Sequence, residues 1–292
     1  MSLQSEFADI LKTDEPLAPL THLRLGGPAQ YLLEPQTREE LASVVRRCYA
    51  ESVPFRVLGS GVNLLVPDEG ITGVVIRLSG AEFTAVSVDD TRAVAGSGAP
   101  LYSVIAETCR RNLAGLETLA GISGTVGGAL RCNAGDGATT ISDYVLSVDV
   151  MDEDGNVFTR QREEIRFSEH ASDLDDPVIL SIAFALVPEE PHAIVKRMRK
   201  AWIQRKALLP HSYENAVRAF RDPPGVSAAE LIEDAGLGRA QVGKAEVSDR
   251  NANYVIARDG ATSRDLLELL EHLERQVVER TGTHLEREIT IW

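Results

Sequence analysis

Two glycine-rich stretches carry the residue types that grip an anionic ligand. The longer, Leu116–Asp143, packs Gly121, Gly124, Gly127 and Gly128 into eight residues and then adds Asn133 and Gly135. Glycines at that density let a backbone approach a ligand closely and aim its N–H groups at it. The shorter, Leu58–Val66 (LGSGVNLLV), lies well upstream. Two such loops on separate elements point to a large anionic cofactor held along its length. Alone, Gly59-Ser-Gly-Val-Asn63 is most often a tight turn. It is not a Walker loop, because no Gly-Lys-Ser/Thr follows, and G-x-G-x-x-G is incomplete. The longer stretch interleaves its glycines with Thr125 and Asn133, but its spacing does not name the ligand.

Other side chains admit two readings each. Glu286 and Glu288 share one face of a strand, with Arg287 opposite. One of the two carboxylates then serves as an acid or electrostatic partner in a cleft, or both sit on an exposed edge. His170, beside Glu169, reads on its own as a surface residue. Arg218 and Arg221 flank Phe220 and are either a solvated pair or an anion clamp. His22, His192, His211, His272 and His284 have no ligand spacing. Cys48, Cys109 and Cys132 are too few and too scattered for a disulfide framework or a metal knuckle, so no metal is expected.

These residues need elements to place them. Thr37 and Glu40 form a capping box for an amphipathic helix over Thr37–Ala50, with Leu41, Val44, Val45 and Cys48 on one face. Phe55–Leu58 and Val74–Leu78 read as strands around the first glycine loop. A helix over Leu101–Asn112 leads to the second. Val145–Met151 and Val157–Arg160 form a hairpin around Asp154-Gly155. Val178–Val187 is a buried strand, and His192–Leu208 a basic helix. A capping box at Ser227 and Glu230 opens a helix that stops at Gly236. Thr262 and Asp265 open another, with Leu266, Leu269, Leu270, Leu273 and Val277 in one stripe and Gly282 as its end. Leu285–Trp292 closes as a strand.

The 292 residues suit two domains with a sizeable core, with a boundary near Pro188–Pro191. The net charge of −14 argues against nonspecific nucleic-acid binding, so any phosphate site relies on local N–H groups and a few placed cations. No apolar run reaches membrane-spanning length. The opening MSLQSEFADILK has no basic stretch followed by an apolar one, and a cytoplasmic protein is expected.

The ordered motifs resemble the MurB family, the UDP-N-acetylenolpyruvoylglucosamine reductases of peptidoglycan precursor synthesis. The resemblance runs from about Thr21 to Ile291. It rests on THLRLGGPA (Thr21–Ala29), LGSGVNLLV (Leu58–Val66), LAGISGTVGGALRCNAG (Leu119–Gly135), FRDPPGVSAAELIEDAGL (Phe220–Leu237) and GTHLEREI (Gly282–Ile289). It implies an α+β fold. An FAD-binding domain of the vanillyl-alcohol-oxidase (PCMH) type, made of two α/β subdomains, would span 15–190. A C-terminal MurB-type domain would span 191–284, and 285–292 would be a terminal strand carrying Glu288. The lack of an insertion after Val187 is similar to the shorter of two family types. By the same resemblance Gly59, Ser60, Gly61, Val62, Asn63 and Leu64 hold the FAD pyrophosphate. Gly124, Thr125, Val126, Gly127, Gly128 and Ala129 run along the flavin with Asn133, Ala134 and Gly135, and Ile179 abuts it.

The resemblance also implies a two-stage reaction. NADPH reduces FAD, and hydride then passes to the enolpyruvyl double bond of a UDP-sugar. In the family an Arg and a Glu stabilise the enolate and a Ser donates the proton. Of these three, the Glu is kept as Glu288. The Ser position holds Arg218, in Val217-Arg-Ala-Phe-Arg-Asp-Pro223, and the Arg position holds His170, in Glu169-His-Ala-Ser172. The family's Lys before Leu-Pro falls on Leu208, its His in Ser-x-Lys-His on Asn251, its Ala-Tyr-Gly-Gly-Glu on Asp136–Thr140, and a pyrophosphate-loop Ser on Val62. The cofactor cradle is therefore better preserved than the reaction machinery. A family reductase with altered proton supply and a catalytically degenerate flavoprotein with a binding or regulatory role, or another redox substrate, both stay open. No protein partner is implied.

Overall fold

The structure, a computed structural model, describes residues 3–135, 138–210 and 214–292. Asp136 and Gly137, the start of one expected departure, and His211 lie outside the described residues. The chain forms two compact units. The first comprises Met1–Thr13, Tyr31–Gly59 and Gly73–Lys206, and the second Asp14–Gln30, Ser60–Thr72 and Ala207–Trp292.

In the first unit an antiparallel sheet runs in the order β9-β8-β10-β7-β6. Its strands are β6 (Val86–Asp89), β7 (Arg92–Gly96), β8 (Val145–Met151), β9 (Val157–Gln161) and β10 (Val178–Ala185). The expected hairpin is β8–β9. The Asp152 carboxylate accepts the N–H groups of Asp154 and Asn156, and Gly155 takes the left-handed φ of +75° that the turn needs. Strand β10 is buried on both faces. Val178 and Leu180 join one apolar cluster; Ile179, Ile182 and Phe184 join the other. The three-residue step from Ile179 to Ile182 departs from strict alternation because the register against β8 shifts between Ile179 and Ser181.

A four-stranded sheet of β1 (Leu11–Pro16), β2 (Pro28–Leu33), β5 (Ile71–Arg77) and β3 (Phe55–Leu58) follows that order, with β3 and β5 parallel. Helix α1 (Arg38–Ala50) buries Leu41, Val44, Val45 and Cys48, as its periodicity requires. Its cap is only half the expected box. Thr37 Oγ1 accepts the Glu40 N–H at 3.2 Å, but the Glu40 carboxylate takes the Gln36 N–H at 2.7 Å, one residue before the cap. Helix α2 spans Leu101–Arg110 and ends two residues early, because Asn112 turns left-handed at φ +57°. Helix α3 (Val126–Arg131) belongs to the long glycine stretch, and α4 (Pro191–Leu208) is the basic helix.

The second unit holds a sheet in the order β11-β14-β13-β12, from β11 (Ala216–Arg218), β12 (Gln241–Val242), β13 (Ala245–Val247) and β14 (Tyr254–Ala257). Both expected capping boxes form, on α5 (Ala228–Asp234) and α6 (Ser263–Thr281). The α6 stripe of Leu266, Leu269, Leu270, Leu273 and Val277 is fully buried, and Gly282 ends the helix at φ +73°. The C-terminal strand is shorter than expected. Only β15 (Thr290–Ile291) is regular, and it pairs in parallel with β4 (Leu64–Leu65). Leu285 and Ile289 are buried, and the segment between makes a short antiparallel bridge, Phe220 to Arg287, with the Arg221 N–H on the Glu286 carbonyl at 2.8 Å and the Glu288 N–H on the Ala219 carbonyl at 2.9 Å.

Candidate functional site

In the first unit, the longer glycine stretch is built around α3. Thr125 is its N-cap, and Thr125 Oγ1 accepts the Gly128 N–H at 3.3 Å. Val126 and Gly127 donate to Ala99 and Ser97 carbonyls at 2.9 and 2.8 Å. The N–H groups of Val126, Gly127 and Gly128 at the start of α3 therefore all have partners inside the protein. Gly127 is a packing glycine, because a Cβ there would lie 2.8 Å from Ser97 Cβ. Gly59 plays the same part, with Thr125 Oγ1 at 2.8 Å from its Cβ position, so the start of the first loop rests on Thr125 of the second. Gly128 is exposed, and its Cβ position has only Thr125 Oγ1 within 4 Å, at 3.4 Å. It leaves an open face along α3. Gly124 adopts φ +131°, conformational space that only glycine enters freely.

Asn133 and Ile179 are held by the protein itself. Asn133 is buried, with Nδ2 donating to the Ser168 carbonyl at 2.9 Å and Oδ1 accepting from Ser142 N–H at 3.4 Å. Ala134 exchanges backbone bonds with Ala129 and Ile141, and Gly135 bridges Thr140. Ile179 lies in the cluster that also holds Val126, Ala129 and Leu130. His170 occupies the tight turn between Phe167–Ser168 and Ala171–Ser172 at φ +56°. Its Nε2 lies 4.0 Å from a carboxylate oxygen of the exposed Glu169.

The second unit carries residues 60–64. Gly61, at φ +60°, packs against Leu20 and accepts the His22 N–H at 2.9 Å. Among the described residues, no acceptor meets the backbone N–H groups of Ser60, Gly61, Val62 or Asn63. Asn63 has a task that sequence reasoning missed: its Nδ2 donates to the Glu288 carbonyl at 3.0 Å. The Thr290 N–H in turn donates to the Asn63 carbonyl at 3.0 Å. The loop therefore holds the segment bearing the glutamate.

Arg218 and Glu288 come together. Arg218 Nε lies 3.2 Å from Glu288 Oε2, and Nη2 donates to Asp222 Oδ2 at 2.6 Å. Asp222 Oδ1 accepts the Ala228 N–H at the start of α5 at 2.8 Å. Glu286 is separated from this group. It is exposed and lies 3.7 Å from Arg221, so the two glutamates have different partners and exposures. Arg287 turns to Glu274 with two hydrogen bonds of 2.5 and 2.8 Å. Asn253 is a further residue missed from sequence. Buried at 2%, it accepts the Phe220 N–H at 2.9 Å and donates to the Phe220 carbonyl at 2.8 Å, fixing the strand beyond Arg218. Only an asparagine beside a strand of apolar residues hinted at it. Leu208 is exposed, and its carbonyl takes a hydrogen bond from Asn251 Nδ2 at 3.3 Å. Two departures from the family pattern are thus neighbours.

Residues 29–160 match the FAD binding domain family, and residues 209–292 match the UDP-N-acetylenolpyruvoylglucosamine reductase C-terminal domain. Fold and matches together define a protein with an FAD-binding domain of PCMH type joined to a MurB C-terminal domain, in the α+β class expected. UDP-N-acetylenolpyruvoylglucosamine reductase 2 of Symbiobacterium thermophilum is 38% identical over 97% of this chain and 92% of its own. The Moorella thermoacetica reductase is 37% identical over 96% and 92%. The crystal structure of MurB from Thermus caldophilus superposes with a TM-score of 0.82 at 35% identity, covering 97% of this chain and 98% of that one. The chain belongs to the UDP-N-acetylenolpyruvoylglucosamine reductase family. No helix among the described residues is long and apolar enough to cross a membrane.

Proposed function

We propose that this chain is an FAD protein of the family in which reduction of the enolpyruvyl UDP-sugar is impaired. One observation carries the reading: the guanidinium of Arg218 stands 3.2 Å from Glu288, where the family pattern has a proton-donating serine. Arginine stays protonated through the neutral range, so Arg218 cannot supply that proton. Paired with Arg218, Glu288 stands as an electrostatic partner. Asp222 adds a second carboxylate to Arg218 at 2.6 Å. His170 replaces the family's arginine with a group that is cationic only when protonated. Loss of a serine acid alone costs roughly 10²–10⁴-fold in rate.

The cofactor side supports FAD. Acceptor-free N–H groups at residues 60–63 suit a pyrophosphate, with Gly59 and Leu64 flanking them. Residues 124–129 and 133–135, with Ile179, are assigned to the flavin. FAD, when bound, takes hydride from a nicotinamide and delivers it to an acceptor, and NADPH is proposed as the source. We assign the flavin domain to 15–190, the substrate domain to 191–284 and the Glu288 strand to 285–292, and place the protein in the cytoplasm. The alternative, a binding or regulatory role or another redox substrate, draws on the same Arg218 contact.

Anaerobic stopped-flow spectroscopy tests the proposal. NADPH should bleach the flavin band, and the enolpyruvyl UDP-sugar should restore it at least 100-fold more slowly than in a relative with the serine. Reoxidation within tenfold of such a relative overturns the proposed impairment. Bleaching with no reoxidation moves the balance to another acceptor, and protein that takes up no FAD removes the redox reading altogether.

A further inference from the structure

We infer that Arg197 and Arg205 of α4 are positioning residues that hold the turn feeding the segment 124–129. The inference rests on the reading that this segment lines FAD. Helix α4 is 18 residues long yet buries only Ile194 completely, with Met198 packed against the core beside it, so apolar packing is a small part of its attachment. Its arginines supply further contacts. Arg205 Nη1 donates to the Thr118 carbonyl at 2.6 Å and to the Ala120 carbonyl at 2.8 Å. Arg197 Nε donates to Glu117 Oε1 at 2.8 Å. Glu117 is 1% exposed, and its other oxygen accepts the Gly115 N–H at 2.5 Å. Arg197 is itself oriented by Glu189, which takes its two remaining nitrogens at 2.8 and 2.5 Å. One helix therefore grips both ends of the turn, Gly115 through a buried carboxylate and Ala120 directly.

Helix and turn are in close contact. Gly121 adopts φ +94°, and a Cβ on it would lie 3.4 Å from Arg205 Cβ and 3.5 Å from Trp202 Cα. Beyond it the chain runs through Ile122 and Ser123 to Gly124, which is fixed from the other side by the Leu101 N–H on its carbonyl. Two left-handed glycines thus bracket a short span that is clamped upstream by α4. Without Arg205, two carbonyls lose a charged donor and the glycine-bracketed span gains freedom that FAD binding would have to remove.

The test titrates apoprotein with FAD and records the visible circular dichroism of the bound flavin and the unfolding midpoint of the apoprotein. Arg205→Ala should raise the FAD Kd at least tenfold and weaken the dichroic band. Arg205→Lys, which keeps one donor, should fall between it and the wild type. Ile194→Val, a core change on the same helix that spares the clamp, should lower the midpoint without moving Kd. A Kd for Arg205→Ala within twofold of wild type, with an unchanged band, overturns the inference. So does equal loosening by Ile194→Val, which would show only general destabilisation. If Arg205→Ala does not fold, Arg205→Lys decides by the same criteria. Failure of the wild type to bind FAD brings down the underlying FAD reading, and this inference with it.

Discussion

Arg218 carries the functional question because it changes both charge and proton supply at one position. Restoring the serine repairs only one of these. We expect Arg218→Ser to leave steady-state turnover with the enolpyruvyl UDP-sugar at least 100-fold below that of an intact relative, since His170 and Leu208 also depart. Full turnover in that variant would assign the whole defect to Arg218. The cysteines give a second expectation. Burial, helped by Glu51, pushes the Cys48 thiol up to about 11, and burial, helped by Glu117, does the same for Cys109. Cys132 is exposed. A thiol reagent at pH 8 should label Cys132 rapidly, the partly buried Cys109 more slowly and the buried Cys48 only on unfolding, and three equal fast rates would contradict this. Because both folded values are raised, the contribution to stability is present below the ordinary thiol value near 9 and is lost as pH climbs through about 11. At this scale the sequence reading found Arg218 and Glu288 separately. Their contact was not legible, because it depends on Phe220 bridging Arg287 and on Asn63 reaching the Glu288 carbonyl across 225 positions of chain.

Elements were most legible where a cap and a stripe coincided. Helix α6 shows both, and its energetics follow. Leu270→Ala removes a fully buried side chain and should cost about 2–5 kcal/mol, whereas Thr262→Ala should cost about 0.5–2 kcal/mol. Urea unfolding of the two variants checks the order, and a larger loss at Thr262 would mean that its cap also supports Gly243, which packs on Asp265. Legibility failed where tertiary contacts override pattern. The Glu286–Glu288 alternation suggested a strand over the whole end of the chain, and the pairing there is limited to one short antiparallel bridge to 219–221 before β15. Glu40 missed its expected partner because the Gln36 N–H, just outside the helix, was the better-placed donor. The N–H groups at the start of α3 show a related effect: glycine density signals close approach, and the Ser97 and Ala99 carbonyls are among the groups that approach there.

For the molecule as a whole, FAD is a folding partner as well as a reagent. A ligand at 100 times its Kd stabilises the state that binds it by about 2.7 kcal/mol. In a chain of this size each kcal/mol shifts the midpoint by roughly 2–4 °C, so saturating FAD should raise Tm by about 5–10 °C. Scanning calorimetry across an FAD series checks this, and a flat Tm would count against the cradle assigned to 59–64, 124–129 and 133–135. The family and fold class were legible because five motifs kept their order from Thr21 to Ile289. How the units are assembled was not, because the contacts that define a unit link segments far apart in the chain, and no local pattern records them.

That assembly bears on how the protein is made. Leu23, Leu25 and Leu65 share a core with Val217, Phe220, Leu270 and Ile289. During synthesis the three leucines emerge from the ribosome long before the residues that bury them. The nascent chain must carry that apolar surface uncovered until residues 217–289 follow. The second unit is therefore completed only once residues 217–289 have emerged, and shielding of the early leucines by a chaperone would govern yield in the cell.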